Sequence, residues 1–245
     1  MQVKPLLDKV NSKTFLEDYL IACGVKKEDV GHYINPSFDS AFLDSPKLYV
    51  NIDEMVQELH YFVQKQALIG IICDEDFDGV ASTTIIASFL RSLGLKPIIF
   101  FHEIPKAHGI RTDSAENLLL KIIDSGIELL IIPDASIDIE SCNKLGRHHI
   151  KVHIIDHHQF KECGNNGIIV NCTQQDCTNQ SASGTLVTNK VVQRYCEMYN
   201  LSCPNNDDLV SCSLVSDVMN MVDNLENRAI VHSWIEGERN ESRNW

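Results

Sequence analysis

From Leu68 onward the chain alternates short, unbroken apolar runs with longer amphipathic stretches. Parallel strands buried on both faces and joined by crossover helices read this way. The pattern therefore predicts an α/β fold, a doubly wound, mostly parallel sheet flanked by helices. The runs place strands at Leu68–Cys73, Lys96–Phe101, Glu128–Pro133 and Lys151–Ile155, with a fifth at Gly167–Val170. Between them, Ser82–Leu93 is helical and stops at Gly94, and a second helix follows Asp113, with Glu116 completing a capping box and Gly126 as its end. A Ser/Thr/Asn/Gln-rich loop after Asn171 leads into helices at Gly184–Tyr199 and from Asp207 to about Met219. Before Leu68, Lys13–Cys23 and Ile52–Gln66 have helical spacing on either side of the breaker Asn35-Pro36-Ser37. Residues 1–66 are thus expected to form a helical N-terminal lead-in.

Composition narrows the picture. At 245 residues and 44% hydrophobic, the chain can bury one large core. No apolar run is long enough to cross a bilayer, and Met1 to Asp8 lacks a signal peptide's apolar stretch, so a cytoplasmic protein is expected. Nine cysteines, an odd number without a CxxC pair, favour reduced thiols; Cys163, Cys172 and Cys177 match no common zinc spacing. The net charge of −13 argues against a broad phosphate-binding surface, so any nucleic acid must be held locally.

The candidate chemistry lies at strand ends. In open parallel sheets the ligand crevice lies outside the carboxyl ends of the strands, and three strands deliver acidic or imidazole side chains there. The first runs into Asp74-Glu75-Asp76-Phe77-Asp78-Gly79, the third into Asp134, and the fourth into Asp156-His157-His158. An Asp-x-Asp-Gly can be a plain turn and a His-His pair a polar loop; the joint placement is what argues for a site. Carboxylates crowded into one crevice need a counter-charge, and oxygen donors with a minority of imidazole suit Mn²⁺, or Mg²⁺, better than zinc. Two such ions can activate a water and stabilise a departing phosphoryl oxygen, which points to phosphodiester hydrolysis.

Those residues carry a resemblance to the DHH phosphoesterases, and in particular to RecJ-like exonuclease cores. Asp74 to Gly79 resembles the DxDxDG motif, Asp134 the second acidic motif, and Asp156-His157-His158 the signature that names the family. Ser213 to Met219 resembles the later GTIADV motif, and Asn227-Arg228-Ala229 the segment after it. Lys106 to Ile110 resembles the loop after the second strand, and Ser181 to Thr185 the small-residue turn that starts a helix. The resemblance covers roughly residues 35 to 235. It implies a DHH domain over residues 67–235 and a tail at 236–245. It also implies Asp76, Asp134, His157 and Asp217 as primary metal ligands, Asp134 bridging two ions, with Asp74 and Asp78 completing the second ion's shell. Asp76, Asp134 and His158 would be catalytic. His158, His108, Ser183 and Gly184 would meet the substrate, the Ser181–Thr185 turn through its amides, while Asp156 orients the histidines. The chain departs from the pattern at Ile72, where many members carry a metal-binding histidine.

The resemblance implies 5′-directed trimming of single-stranded DNA. Family exonucleases usually add a second, DHH-associated domain that grips the strand; this sequence stops soon after Arg228, so strand binding is expected from a protein partner. Short oligonucleotides or cyclic dinucleotides remain alternative substrates, and a non-catalytic scaffold in a replication or repair assembly is the non-enzymatic alternative. Asp76-Phe77-Asp78-Gly79-Val80 also resembles the nucleophile motif of haloacid-dehalogenase-type phosphatases, but that family's late Gly-Asp motif is lacking.

Overall fold

A computed structural model describes residues 7, 11–36, 43–102, 109–110, 115–174 and 177–236. Helices α1 (Phe15–Ala22), α2 (Val30–Ile34) and α3 (Ile52–Gln64) precede the sheet. Strand β1 (Ile69–Cys73) is followed by α4 (Phe77–Ser92), β2 (Ile98–Phe101), α5 (Glu116–Asp124), β3 (Leu129–Pro133), α6 (Ile139–Arg147), β4 (Lys151–Asp156) and β5 (Gly167–Asn171). Helices α7 (Gly184–Tyr199), α8 (Asp207–Ser216) and α9 (Leu225–Ile235) complete it.

The five strands pair in the order β2-β1-β3-β4-β5, every pair parallel. Alternation along each strand divides the interior into two cores. Ile69, Ile71, Leu129, Ile131 and Ile155 face α3, α4 and α7, while Ile72, Leu130, Ile132, Val152 and Ile154 face α5 and α6. That is the doubly wound arrangement expected. The chain leaves β1 toward β2 on one side and returns to β3 on the other, so the loops after β1 and β3 diverge and open a crevice at this switch point.

Several boundaries differ from the sequence reading, each for a local reason. The second strand loses Lys96 and Pro97, the latter having no amide to join a ladder. Helix α4 starts at Phe77 rather than Ser82 because Asp76 caps it, its Oδ1 accepting the Gly79 amide at 2.9 Å. Helix α5 begins at Glu116 itself, with Ala115 at the cap and no side-chain cap; Asp113 lies outside the described residues. Helix α8 stops at Ser216, three residues short of Met219. The region to residue 66 is more than a lead-in, since α3 buries Met55, Val56, Leu59, Phe62 and Val63 in the same core as β1 and β3. All nine cysteines are free thiols. Among the described residues no helix is long and apolar enough to cross a membrane.

The last helices are tied back to the start of the sheet domain by a buried ion pair. Lys190 of α7 reaches Glu226 of α9 at 2.5 Å and the Asp44 carbonyl at 2.6 Å, with both charged side chains nearly fully buried. Removing one partner strands the other charge in a low-dielectric interior. Lys190→Ala is therefore expected to destabilise the fold by about 3–5 kcal/mol, read as a lower urea midpoint with an unchanged denaturant slope.

Candidate metal centre

The first acidic loop is shaped by backbone packing. Asp74 leaves β1 at the crevice, Asp76 caps α4, and Asp78 turns back into the interior within the first turn of that helix. The loop folds so tightly that a Cβ on Gly79 would lie 2.5 Å from the Asp74 Cβ, which is why glycine stands there. Asp134, immediately after β3, adopts a left-handed backbone with φ of +58°. Aspartate tolerates that region better than most residues, and such outliers persist where surrounding structure over-determines them. Here the Asp134 amide donates to the Ile155 carbonyl at 2.7 Å, continuing the β3–β4 pairing into the loop.

The third segment separates its two histidines. Asp156, the last residue of β4, accepts the His157 and His158 amides and the His158 ring Nδ1, the last at 2.8 Å. Asp156 thus orients the His158 ring, and of His157 it holds only the amide. Burial opposes ionisation of Asp156, but its hydrogen bonds from His158 and the His157 amide outweigh burial and lower its pKa. The hydrogen bond to Asp156 raises the His158 pKa against desolvation. The His158 side chain is 54% exposed, whereas that of His157 is 9% exposed and lies among carboxylates. Its Nε2 lies 3.2 Å from Asp134 Oδ1, 3.4 Å from Asp217 Oδ2 and 3.6 Å from Asp78 Oδ2. Asp217 arrives from the C-terminal cap of α8.

The turn before α7 binds one of the chain's own carboxylates. Its Gly184 and Thr185 amides donate to Asp78 at 2.7 and 2.8 Å, and the Thr185 and Ser213 hydroxyls donate to the same carboxylate at 2.6 Å. Asp78 therefore occupies the positive end of α7 itself, a place where a helix N-terminus would otherwise attract an external anion. Ser183 is fully buried, capping α7 through Leu186 and lying 2.6 Å from Ser213 Oγ. The Gly184 and Thr185 amides are thus engaged by Asp78, and Ser183 and Gly184 pack against the acidic cluster. His108, with Lys106 and Arg111, lies outside the described residues. Asn171 is not among the residues the sequence points to, and Thr185 only as part of the turn before α7. Asn171 ends β5, donates to the His158 carbonyl at 2.9 Å and holds the Thr173 amide, bracing the histidine loop. The strand-end rule that pointed to Asp134 and Asp156 also applies to Asn171.

Three groups of donors lie within 4.8 Å of one another: Asp74, Asp76 and Asp134; Asp134, His157 and His158; and Asp78, His157 and Asp217. Asp134 and His157 are shared, so the three groups form one continuous cluster. Burial, and then Asp78 and Asp76, push the Asp134 carboxyl well above the ordinary range; burial also raises Asp217, although His157 opposes it. Asp134 Oδ1 and Asp217 Oδ2 are buried and form no hydrogen bond among the described residues. Buried acceptors gathered around the His157 Nε2 nitrogen without a hydrogen bond among the described residues fit a bound cation, and the oxygen-rich donor set fits Mn²⁺ or Mg²⁺.

Comparison with known proteins agrees with this arrangement. A family model described as the DHH family, N-terminal domain, matches residues 68–225. The chain belongs to the DHH family. Within that family, a Bacillus subtilis (strain 168) protein named putative SPbeta prophage-derived single-strand DNA-specific exonuclease YorK is 26% identical over 197 residues, covering 71% of this chain and 32% of its own length. This DHH chain thus spans about a third of the length of the curated relatives it matches. Among solved structures, exonuclease RecJ bound to manganese superposes with a TM-score of 0.67 at 21% identity, covering 79% of this chain and 48% of that one. RecJ from Thermus thermophilus in complex with Mn²⁺ gives a TM-score of 0.62 at 18% identity, covering 86% and 31%. At these identities the likeness speaks for a shared fold.

The packing of Gly184 supplies a test of how tightly the cluster is held. A Cβ there would lie 2.5 Å from Asp134 Oδ1 and 2.7 Å from its Cβ. Gly184→Ala is expected to displace Asp134 and weaken Mn²⁺ binding by at least about tenfold, measured by isothermal titration calorimetry, while far-ultraviolet circular dichroism stays that of the folded protein.

Proposed function

We propose that this chain is the catalytic part of a metal-dependent DHH phosphodiesterase that hydrolyses single-stranded DNA from an end, using two divalent ions. The observation that carries the reading is the continuous cluster of Asp74, Asp76, Asp78, Asp134, His157 and Asp217 at the switch point of the sheet, in which buried oxygens of Asp134 and Asp217 form no hydrogen bond among the described residues. The name of its relative, a single-strand DNA-specific exonuclease, supports the choice of substrate. Residues 67–235 would form the catalytic domain.

In this reading Asp134 and His157, shared between donor groups, are the central ligands, with Asp76 and Asp74 on one side and Asp217 and Asp78 on the other. Bound there, Mn²⁺ or Mg²⁺ supplies charge neutralisation and a water acidic enough to attack a phosphodiester at neutral pH. The chain's own contribution is orientation. His158, whose pKa is raised by its hydrogen bond to Asp156, would bind a phosphate oxygen or give a proton to the departing one. Asp78, fixed by two amides and two hydroxyls, holds the starts of α4 and α7 together.

With 34 acidic against 21 basic residues, the average surface repels a phosphate backbone, so binding of long strands is assigned to a partner protein or domain. Short oligonucleotides that fit inside the crevice form the second reading, favoured by that same charge. The test is to incubate the protein with end-labelled single-stranded DNA of increasing length, and separately with a cyclic dinucleotide, with Mn²⁺ or with excess chelator. Metal-dependent release of mononucleotides is expected, abolished by chelator and lowered on the order of 10³-fold by Asp134→Ala. The kcat/KM should change little with length at moderate salt. Hydrolysis that persists in chelator rules out the mechanism, and a steep rise with length rules out the dependence on a partner for strand binding.

A further inference from the structure

The segment that follows the histidine pair rests on α6. Residues 157–166 form neither helix nor strand, and between His158 and Asn166 only Cys163 is buried. Cys163 is 3% exposed and Cys142 of α6 is 0% exposed, and both belong to the core on the α5 and α6 side of the sheet. Asn166 attaches the segment a second time, donating to the Cys142 carbonyl at 3.2 Å and to the Ile150 carbonyl at 2.8 Å.

Buried free cysteines commonly serve as small apolar core residues. These two also meet at their sulfurs. A Cβ added to Gly167 would collide with Cys163 Sγ and come within 3.4 Å of Cys142 Sγ, so glycine at the start of β5 leaves room for both. The Cys142 thiol donates to the Cys163 sulfur. That hydrogen bond lowers the Cys163 pKa against burial and raises that of Cys142, which burial raises further. A thiol made easier to ionise, beside a second thiol able to resolve it, is the chemistry of a peroxide-sensitive pair.

We propose that Cys142 and Cys163 form a reversible disulfide on exposure to hydrogen peroxide, a redox-sensitive staple that encloses β4 and the Asp156-His157-His158 segment. Cys163, as thiolate, attacks one peroxide oxygen; the O–O bond breaks, Cys163 becomes a sulfenic acid, and the departing hydroxide takes up a proton to leave as water. The Cys142 sulfur then displaces the sulfenic hydroxyl, which leaves as a second water with the Cys142 proton. Two thiols are oxidised and one peroxide is reduced to two waters. Joining the sulfurs at about 2.05 Å asks for a shift that the irregular Cys163 segment supplies while α6 stays in place. Because the bond closes a loop around the histidine segment, it restrains local opening there. The assignment does not depend on the metal reading.

The test treats the full chain, without added metal, with hydrogen peroxide and alkylates the remaining thiols under denaturing conditions. Peptide mapping by mass spectrometry, with and without dithiothreitol, then reads the pairing, and hydrogen exchange reads residues 157–166. A Cys142–Cys163 linked peptide is expected, released by dithiothreitol, with amide exchange over that segment slowed at least about tenfold and the Tm raised by about 5 °C or more. Cys142→Ala and Cys163→Ala should each abolish these gains. The map is read on wild type, so it decides the pairing even where a variant fails to fold. Cysteines 142 and 163 recovered alkylated, or linked to other cysteines, overturn the pairing. A linked peptide with unchanged exchange over 157–166 overturns the staple.

Discussion

Carboxylates that repel one another have been brought to one point and kept there. Asp134 is the centre of that crowd, 2% exposed, on a left-handed backbone, with a buried oxygen that forms no hydrogen bond among the described residues. Such an arrangement is costly for the apo protein unless a cation joins it, and the surrounding structure is organised to hold it regardless. The β3–β4 ladder carries Asp134 into place, Gly184 leaves room for its side chain, and the shared contacts of His157 link it to Asp78 and Asp217.

The elements that hold the cluster also neutralise part of it. Asp78 closes the N-terminus of α7 and Asp76 caps α4, so two of the acidic residues offset helix dipoles while remaining at the site. Asp156 is set apart by its hydrogen bonds from His158 and lies outside the donor groups. A switch point between β1 and β3 gives these segments a common space, which no single motif creates.

Much of the fold was legible because buried parallel strands have a strong signature, and Ile69–Cys73 or Leu129–Pro133 could hardly be anything else. Boundaries were less legible where a side chain decided them, as when Asp76 starts α4 five residues early. The cluster itself was legible from strand ends, since Asp74, Asp76, Asp134 and His157 all follow apolar runs. What stayed hidden were contacts between segments far apart in sequence. Nothing local announces that Thr185 and Ser213 would meet at Asp78, or that a turn resembling a phosphate cradle would be filled by the protein's own carboxylate. Asn171 also stands at a strand end, and the same rule applied to β5 would have drawn attention to it.

The central claim is that the buried carboxylates around Asp134 are arranged for divalent metal. Crystals of the protein soaked in Mn²⁺ would test it through anomalous scattering near the manganese absorption edge. The account predicts strong peaks about 2.0–2.3 Å from Asp134 and His157 donors, lying between Asp76 and Asp217. An ordered, fully saturated crystal with no peak there, or with manganese bound only elsewhere, would contradict it.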